Sequence, residues 1–232
     1  MMLGNGADLA VILMDLNDPA LARAVDAFVL AHADGLPFHR PAWLHAIEQA
    51  TGNRALLLAA VGPSGRIRGI LPLHHVRSRL FGAALVSTAF AVGGGILAED
   101  DRAIAVLAAA AEGLAGERGG LSLELRGGPA PGDNWQRLDG AHVGFVRPLA
   151  VDDDAELLAV PRKHRAELRK ALANPALSVE IGRDARHLRD HYNIYATSVR
   201  NLGTPVFPRR LFRAVLDQFG ADADILIVRE GD

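Results

Sequence analysis

The segments of this chain that match strand and helix patterns follow one order twice: strand, helix, helix, strand. In the first copy, Leu9–Leu13 is a short apolar run of strand length. Asp18-Pro19 predicts a helix start, because aspartate caps helix N-termini and proline suits the first helical position. A second helix is predicted over Pro41–Ala50, with Gly52 at its end. Arg54–Val61 has the length of a buried strand and closes the first copy.

The same order returns in the last third of the chain. Leu177–Ile181 is predicted to be a strand, and Ala185–Arg200 has an apolar stripe at helical spacing. A second amphipathic helix follows over Pro208–Phe219, and Asp224–Val228 is again an apolar strand. The residues of the two copies do not match, so the predicted repeat is one of structure.

The segments between the two copies predict a sheet of mixed direction. They are a hairpin of Arg54–Val61 and Ile67–Val76 around Gly62-Pro63-Ser64-Gly65, a strand at Ala83–Thr88, a helix from Glu99-Asp100-Asp101 to near Gly119, and strands at Leu121–Leu125 and Val143–Val146. Pro72 predicts a bulge or an edge in the second hairpin strand. Strict alternation of strands and helices is absent. This favours an α/β fold with a mixed sheet and disfavours a doubly wound parallel one.

A domain boundary is predicted near residue 150. There the acidic run Asp152-Asp153-Asp154 precedes a basic helix that begins at Pro161 and ends near Ala173. The predicted domains are therefore 1–150 and 151–232. The strand at Asp224–Val228 would leave an unpaired edge with no strand after it, so the second domain is expected to be incomplete in this sequence.

Composition narrows the possible classes of protein. Half of the 232 residues are hydrophobic, which is enough for a sizeable core, and the net charge of −2 disfavours a DNA-binding protein. The absence of cysteine excludes disulfides, thiolate zinc sites and cysteine nucleophiles. No run approaches the ~20 apolar residues of a membrane span, and the N-terminus lacks a signal-peptide pattern. A soluble, cytoplasmic protein is expected.

Several short motifs resemble the FemAB family. They are Phe38-His39-Arg40-Pro41-Ala42-Trp43, Gly69-Ile70-Leu71-Pro72-Leu73, Val76-Arg77-Ser78-Arg79-Leu80-Phe81-Gly82, Gly94-Gly95-Ile96-Leu97, Leu123-Glu124-Leu125-Arg126, Pro161-Arg162-Lys163-His164-Arg165 and the stretch Ser198–Pro208. The last is the most specific. The sequences of these motifs resemble those of the FemAB-like branch associated with exopolysaccharide and PEP-CTERM sorting loci.

The resemblance implies two tandem acyltransferase domains of the GNAT type. It implies transfer of an acyl or aminoacyl group to an amine of a peptidoglycan- or exopolysaccharide-related precursor, by direct attack and without an acyl-enzyme. The implied donor is aminoacyl-tRNA or acyl-CoA as a co-substrate, with no bound cofactor, so tRNA is a possible partner. Family members continue well past Asp232, so this chain alone is expected to be inactive. No catalytic residue can be assigned.

The basic helix is the strongest local signal for a binding site. Arg162, Arg165 and Arg169 share one helix face at i, i+3 and i+7, and Lys163 adds to the charge. Like charges at this spacing repel, and arginine forks match phosphate or carboxylate oxygens. The face is therefore a candidate site for an anionic precursor or an RNA carrier. The alternative is a solvated basic face paired with Asp152–Asp154.

A second candidate binding segment is the loop Arg200–Pro208. Its two prolines and its glycine restrict the backbone to one path. Loops fixed in this way commonly carry binding groups. Arg200, Asn201 and Thr204 are its candidate ligand contacts, and the alternative is a plain connector between helices. Tyr195, on the preceding helix, is a candidate for proton transfer, although packing of its ring is the commoner role for such a tyrosine.

Other chemistries have little support in the sequence. Gly93-Gly94-Gly95 precedes an acidic helix start, which favours a tight turn over a phosphate loop. His187 and His191 are four residues apart on a helix but lack a third ligand, so no metal site is predicted. Serine-hydrolase and dinucleotide motifs are absent. Two rivals to the acyltransferase hypothesis remain: a non-catalytic module that binds a glycan or lipid-linked precursor, and a simple acetyl-CoA-dependent N-acetyltransferase.

Overall fold

The computed structural model describes residues 2–6, 8–78, 80, 82–140 and 143–231, and of residues 2–6 the backbone only. Arg79 and Phe81, which belong to one of the motifs above, and Asp232 lie outside the described residues. Contacts divide the chain into two units. The first consists of Met1–Trp135 and Ala196–Ala223, and the second of Gln136–Tyr195 and Asp224–Asp232. The boundary near residue 150 stays a prediction.

The described strands of the first unit form one seven-stranded sheet. They are β1 Met2–Gly6, β2 Leu9–Leu13, β3 Arg54–Val61, β4 Ile67–Ser78, β5 Gly82–Ser87, β6 Leu97–Ala98 and β7 Ser122–Leu125. Their order is β1-β2-β3-β4-β5-β7, and β6 pairs with β4. Every pairing is antiparallel except that of β5 with β7, which is parallel. The predicted mixed sheet is confirmed.

The helices begin and end largely where the sequence indicated. They are α1 Pro19–Ala31, α2 Pro41–Thr51, α3 Asp101–Glu117, α4 Asp153–Ala159, α5 Arg162–Leu172, α6 Ala185–Asn201 and α7 Arg209–Phe219. The Asp18 carboxylate accepts hydrogen bonds from the Ala20 and Leu21 amides, so it caps α1 as predicted. Asp100 caps α3 in the same way, and Gly52 ends α2 with a φ of +76°. Capping residues therefore predicted helix boundaries well.

Both faces of the large sheet are buried. Alternate residues along the central strands point to opposite faces. Leu56 and Leu58 pack with Leu107 of α3, while Leu57 and Ile70 pack on the other face with α1 and α2. Because the central strands are covered on both sides, they are continuous apolar runs with no polar alternation.

Pro72 lies inside β4 without breaking it. It pairs with Leu57 of β3 on one side. On the other side, β4 pairs with β6 at Gly69–Ile70 and with β5 only from His74 onwards. Of the two interpretations drawn from the sequence, a local edge agrees with these registers, because no described strand pairs with Pro72 on that side.

The second unit contains a separate two-stranded sheet. Its strands are β8 Leu177–Gly182 and β9 Ile225–Glu230, which pair antiparallel. The chain therefore runs β2-α1-α2-β3 and later β8-α6-α7-β9, and in both cases the two strands are antiparallel neighbours. The predicted repetition of element order is confirmed.

Three details of the sequence interpretation are wrong. Val143–Val146 is no strand, and its Phe145 and Val146 side chains are 94% and 99% exposed. An apolar run needs a neighbouring strand to form a ladder, and sequence alone does not show whether one is present. Helix α4 was not predicted: Asp152, in the acidic run, accepts a hydrogen bond from the Ala155 amide and caps this helix. The first strand, β1, was missed because its glycines disfavour strands.

Helix α7 packs against α2 within the first unit. Leu211 and Ala214 of α7 are buried with Ala46, Ile47 and Ala50 of α2. The short, small side chains of α2 allow the two helices to approach closely. Sequence pattern predicted the apolar stripe of α7 but not the surface that it covers.

Arg40 ties the start of α2 to α1 and to the end of α7. Its guanidinium donates two hydrogen bonds to the Asp26 carboxylate, at 2.7 and 2.9 Å, and a third to Asp222 at 2.8 Å. It also lies 5.3 Å from the centre of the Phe219 ring, in cation–π geometry. The Asp26 hydrogen bonds raise the pKa of Arg40 above its ordinary value.

Replacing Arg40 by methionine is expected to lower the free energy of unfolding by about 2–3 kcal/mol, because a mostly buried carboxylate loses its partner. Urea unfolding followed by tryptophan fluorescence measures this. Asp222→Asn is the matched control: Asp222 is mostly exposed, so its loss is expected to cost less than about 1 kcal/mol. Equal effects of the two variants would contradict the assignment of the larger stabilisation to the Arg40–Asp26 ion pair.

Candidate functional site

A cavity of about 700 Å³ lies at the carboxyl ends of β5 and β7. Ligand sites commonly occur where parallel strands end, because the following loops diverge there. The loop after β5 contributes Gly93 and Gly94, and the loop after β7 contributes Gly127 and Gly128. The start of α3 and the segment His32–His39 complete the wall. All of these residues belong to the first unit.

Gly94-Gly95 in the loop after β5 and Gly127-Gly128 in the loop after β7 allow these two loops to contact each other. A Cβ on Gly95 would lie 2.0 Å from the Gly127 carbonyl oxygen, closer than any side chain can approach. Gly94 has a φ of +110° and Gly128 a φ of +78°, a backbone region that glycine adopts without strain. Gly93–Gly95 thus has a packing role that the sequence did not reveal.

His39 is a buried histidine on the cavity wall, 3% exposed. Its Nδ1 accepts a hydrogen bond from the Leu36 amide at 3.0 Å, so the neutral ring carries its proton on Nε2. Burial lowers the pKa of His39, and the Gly95 carbonyl opposes this shift. Nε2 is enclosed and makes no hydrogen bond of normal geometry with the described residues. One ring nitrogen of His39 is therefore occupied and the other enclosed, so the neutral ring is not a general base.

His32 is held in the same tautomer. Its Nδ1 accepts from the Asp34 amide at 3.1 Å, and its Nε2 lies 3.2 Å from the Ala98 carbonyl, to which it donates. Neither histidine of the cavity has a free lone pair. The two imidazoles therefore support the cavity wall, and neither offers a nucleophile or a base.

The charged residues of the cavity are acidic. Glu99 pairs with Arg66 and Arg68, and Asp100 pairs with Arg68 while capping α3. Asp34 and Asp101 also line the cavity, and neither forms an ion pair with a described residue. Their negative charge favours an amine and disfavours a phosphate.

The predicted basic face of α5 is only partly free. Arg165 donates to the carbonyls of Leu158 and Val160, at 2.7 and 3.0 Å, and so holds α5 against the end of α4. Arg162, Lys163 and Arg169 are exposed and form no ion pair with the described residues. Their expected partners, Asp152–Asp154, are at the start of α4. Three cations thus remain available, and their role in binding stays a prediction.

The loop after α6 begins with a defined helix cap. The Gly203 amide donates to the Arg200 carbonyl at 3.0 Å and the Thr204 amide to the Val199 carbonyl at 3.1 Å, with Gly203 at a φ of +69°. The loop is also anchored by Phe207, whose ring meets Phe90 edge-on with centroids 5.1 Å apart.

The side chains predicted to bind belong to both units. Arg200, Asn201 and Thr204 are exposed residues of the first unit, whereas the α5 cations and Tyr195 belong to the second. The Tyr195 ring is half-buried and stacks on His191, with centroids 6.3 Å apart. That contact fits the packing role weighed for Tyr195.

Other kinds of site find no support in the described part of the chain. Within it, no three His, Asp or Glu side chains are grouped as metal ligands. His187, considered for such a role, lies 2.9 Å from the Asp184 carboxylate. Of the helices that the structure describes, none has the length and apolar character needed to cross a membrane.

The cavity residues were missed because their signal is tertiary. His39 was part of a family-like motif but had no assigned role, and Gly127-Gly128 had no assigned role either. Only the parallel pairing of β5 and β7 brings them together. The one sequence signal that could have indicated the cavity is a pair of glycines after each of two strands, Gly94-Gly95 after β5 and Gly127-Gly128 after β7.

Comparison with known proteins supports the fold. No protein-family model matches this chain, and no curated protein is significantly similar to it in sequence. Among solved structures, the crystal structure of FemX is similar, with a TM-score of 0.61 and 18% sequence identity. The similarity covers 94% of this chain and 57% of the FemX chain. This chain therefore has a FemX-like fold and spans little more than half of that protein's length.

Proposed function

We propose that this chain is part of an acyltransferase of the FemAB type. It would carry an acyl or aminoacyl group to an amine of an anionic peptidoglycan- or exopolysaccharide-related precursor in the cytoplasm, and would consist of tandem GNAT-like domains. The FemX-like fold and the sequence motifs support this class. Because one fold hosts many functions, the proposal depends on the chemistry of the site.

The observation that carries the proposal is the acidic cavity beside the parallel strand pair. Asp34 and Asp101 suit an incoming ammonium group, and a neutral amine must form before it can attack an acyl carbon. The amine nitrogen forms a bond to the acyl carbon, while the bond from that carbon to the ribose oxygen of tRNA, or to the sulfur of CoA, breaks. The amine's proton passes to a carboxylate or water, and the leaving oxygen or sulfur takes one.

No covalent intermediate on the protein is required in this scheme. Positioning of two substrates supplies much of the rate, and hydrogen-bond donors stabilise the developing oxyanion. In the second unit, Arg162, Lys163 and Arg169 are proposed to bind anionic groups of the precursor or the carrier. In the first unit, Arg200, Asn201 and Thr204 are proposed to make contacts of the same kind. This division assigns the amine to the acidic cavity and the phosphates to the arginines.

The test is acyl transfer by this protein. The protein is incubated with a nucleotide-linked peptide precursor and with either labelled aminoacyl-tRNA or labelled acetyl-CoA, and mass spectrometry detects the new amide. Transfer from one donor is expected, and that donor identifies the subclass. Precursor binding without transfer from either donor would support the binding-module alternative and overturn the proposal.

A double variant tests the cavity itself. Asp34→Asn with Asp101→Asn is expected to lower kcat/KM for the amine by at least about tenfold, because charge-assisted hydrogen bonds are lost. Asp217→Asn, an exposed carboxylate on α7, makes the same kind of charge change elsewhere and is expected to leave kcat/KM unchanged. Equal rates in both variants would exclude the cavity as the amine site.

A further inference from the structure

Three arginines converge at the end of the large sheet that is far from the acidic cavity. Arg54 of β3 is the direct cross-strand partner of His75 of β4. Arg77 lies two residues further along β4, so it shares the same sheet face. Arg118 is the C-cap residue of α3, the helix that covers this face. These four side chains are called the arginine cluster below.

Within the described part of the chain, the arginine cluster lacks a carboxylate partner. Arg54, Arg77 and Arg118 form no ion pair with any residue that the structure describes. Burial lowers the pKa of His75, and the charges of Arg118, Arg77 and Arg54 lower it further. His75 Nε2 is enclosed without a hydrogen-bond partner among the described side chains and backbone. The three cationic side chains thus act on His75, and none of them has a carboxylate partner among the described residues.

Other arginines of the same unit are of two kinds: five have a carboxylate partner, whereas Arg23, Arg200, Arg209, Arg210 and Arg213 form no ion pair with the described residues. Those with a carboxylate partner are Arg40, Arg66, Arg68, Arg102 and Arg126. Like charges on neighbouring positions of a sheet are destabilising. A cluster of unpaired arginines on one face is therefore best stabilised by an anion from outside the chain.

We propose that the arginine cluster is a binding site for a phosphate group. Guanidinium forks contact phosphate oxygens in two-point geometry, and three of them on one face match a tetrahedral anion better than a planar carboxylate. This site lies at the end of α3, and the acidic cavity lies at the start of the same helix. The two are about 25 Å apart, since a 17-residue helix rises 1.5 Å per residue. The two sites are distinct, and the proposal does not depend on acyl transfer.

Two sources of the phosphate are compatible with the cluster. One is a soluble molecule that carries a pyrophosphate. The other is a lipid headgroup, because Leu80, three residues after Arg77, is 87% exposed and apolar. Both sources share the same phosphate contact, so the experiment has one arm for each.

The first arm titrates the full chain with inorganic pyrophosphate and follows the His75 ring by NMR. Binding of the anion is expected to raise the pKa of His75, because negative charge offsets the three arginines. Each of Arg54→Gln, Arg77→Gln and Arg118→Gln is expected to weaken binding about tenfold, the loss of one charge-assisted contact. Arg23→Gln, an unpaired exposed arginine on α1, is the control and is expected to bind normally.

The second arm measures co-sedimentation with vesicles of phosphatidic acid in phosphatidylcholine, compared with phosphatidylcholine alone. Vesicle binding that the cluster variants lose and Arg23→Gln keeps supports the lipid source. Pyrophosphate binding alone, with the same dependence, supports the soluble source. Failure of both arms, or equal weakening by Arg23→Gln, overturns the proposal. Circular dichroism of each variant verifies that folding is intact.

Discussion

Gly95→Ala is expected to lower the free energy of unfolding by at least about 3 kcal/mol, because its methyl group would overlap the backbone of another loop. The added Cβ would lie 2.0 Å from the Gly127 carbonyl oxygen and 2.8 Å from its carbon. Relief requires the loops after β5 and β7 to separate. Ile96, next in sequence and 2% exposed, would then lose part of its packing in the core.

The matched control has the opposite sign. Gly113 lies inside α3, and no atom lies within 4 Å of a Cβ built on it. Gly113→Ala is therefore expected to raise the free energy of unfolding by about 0.5–1 kcal/mol, the usual gain of alanine over glycine in a helix. Urea unfolding followed by Trp43 and Trp135, both in the first unit, measures both variants. A Gly95→Ala protein as stable as the parent would refute the contact between the loops.

Stability is expected to fall by about 3 kcal/mol as the pH drops from 6.5 to 4, owing to His74. His74 is fully buried, and burial lowers its pKa to about 4, with only partial opposition from the Leu44 carbonyl. The unfolded chain takes up a proton near pH 6.5, whereas the folded protein does not until about pH 4. The stabilisation is therefore complete above 6.5 and is lost through this window.

The structural role of His74 explains why it must stay neutral. Its Nδ1 accepts from the Ala89 amide and its Nε2 donates to the Leu44 carbonyl, both at 3.3 Å. A second proton on the ring would face the Ala89 N–H. The ring thus joins α2 to the loop after β5, which bounds the acidic cavity.

His74→Leu separates the titration from the packing. At pH 7.5 the variant is expected to be less stable by about 2–4 kcal/mol, because a buried amide and a buried carbonyl lose their partners. Between pH 7.5 and 4.5 its stability is expected to change much less than that of the parent, so the two curves converge. Exposed His164, changed to glutamine, is the control and should keep the parent's slope. If the stability of His74→Leu depended on pH as steeply as that of the parent, the assignment of this pH dependence to His74 would be refuted.

The sequence by itself determined the local elements of this protein. Asp18, Pro19, Gly52 and Asp100 marked helix ends because capping and backbone freedom act within a few residues. Continuous apolar runs marked the central strands, and the repeated strand–helix–helix–strand order followed from these local signals. The motifs also led to a family whose member FemX has a similar fold.

Only the tertiary structure decided what these elements meet. Val143–Val146 has strand-like residues but no described partner strand, since a ladder depends on a distant segment. The parallel pairing of β5 with β7 brings Gly95 against Gly127 and forms the acidic cavity, and the pairing of β3 with β4 places Arg54 beside His75. Such contacts join residues far apart in the chain, and a local pattern carries no information about which distant surface completes it.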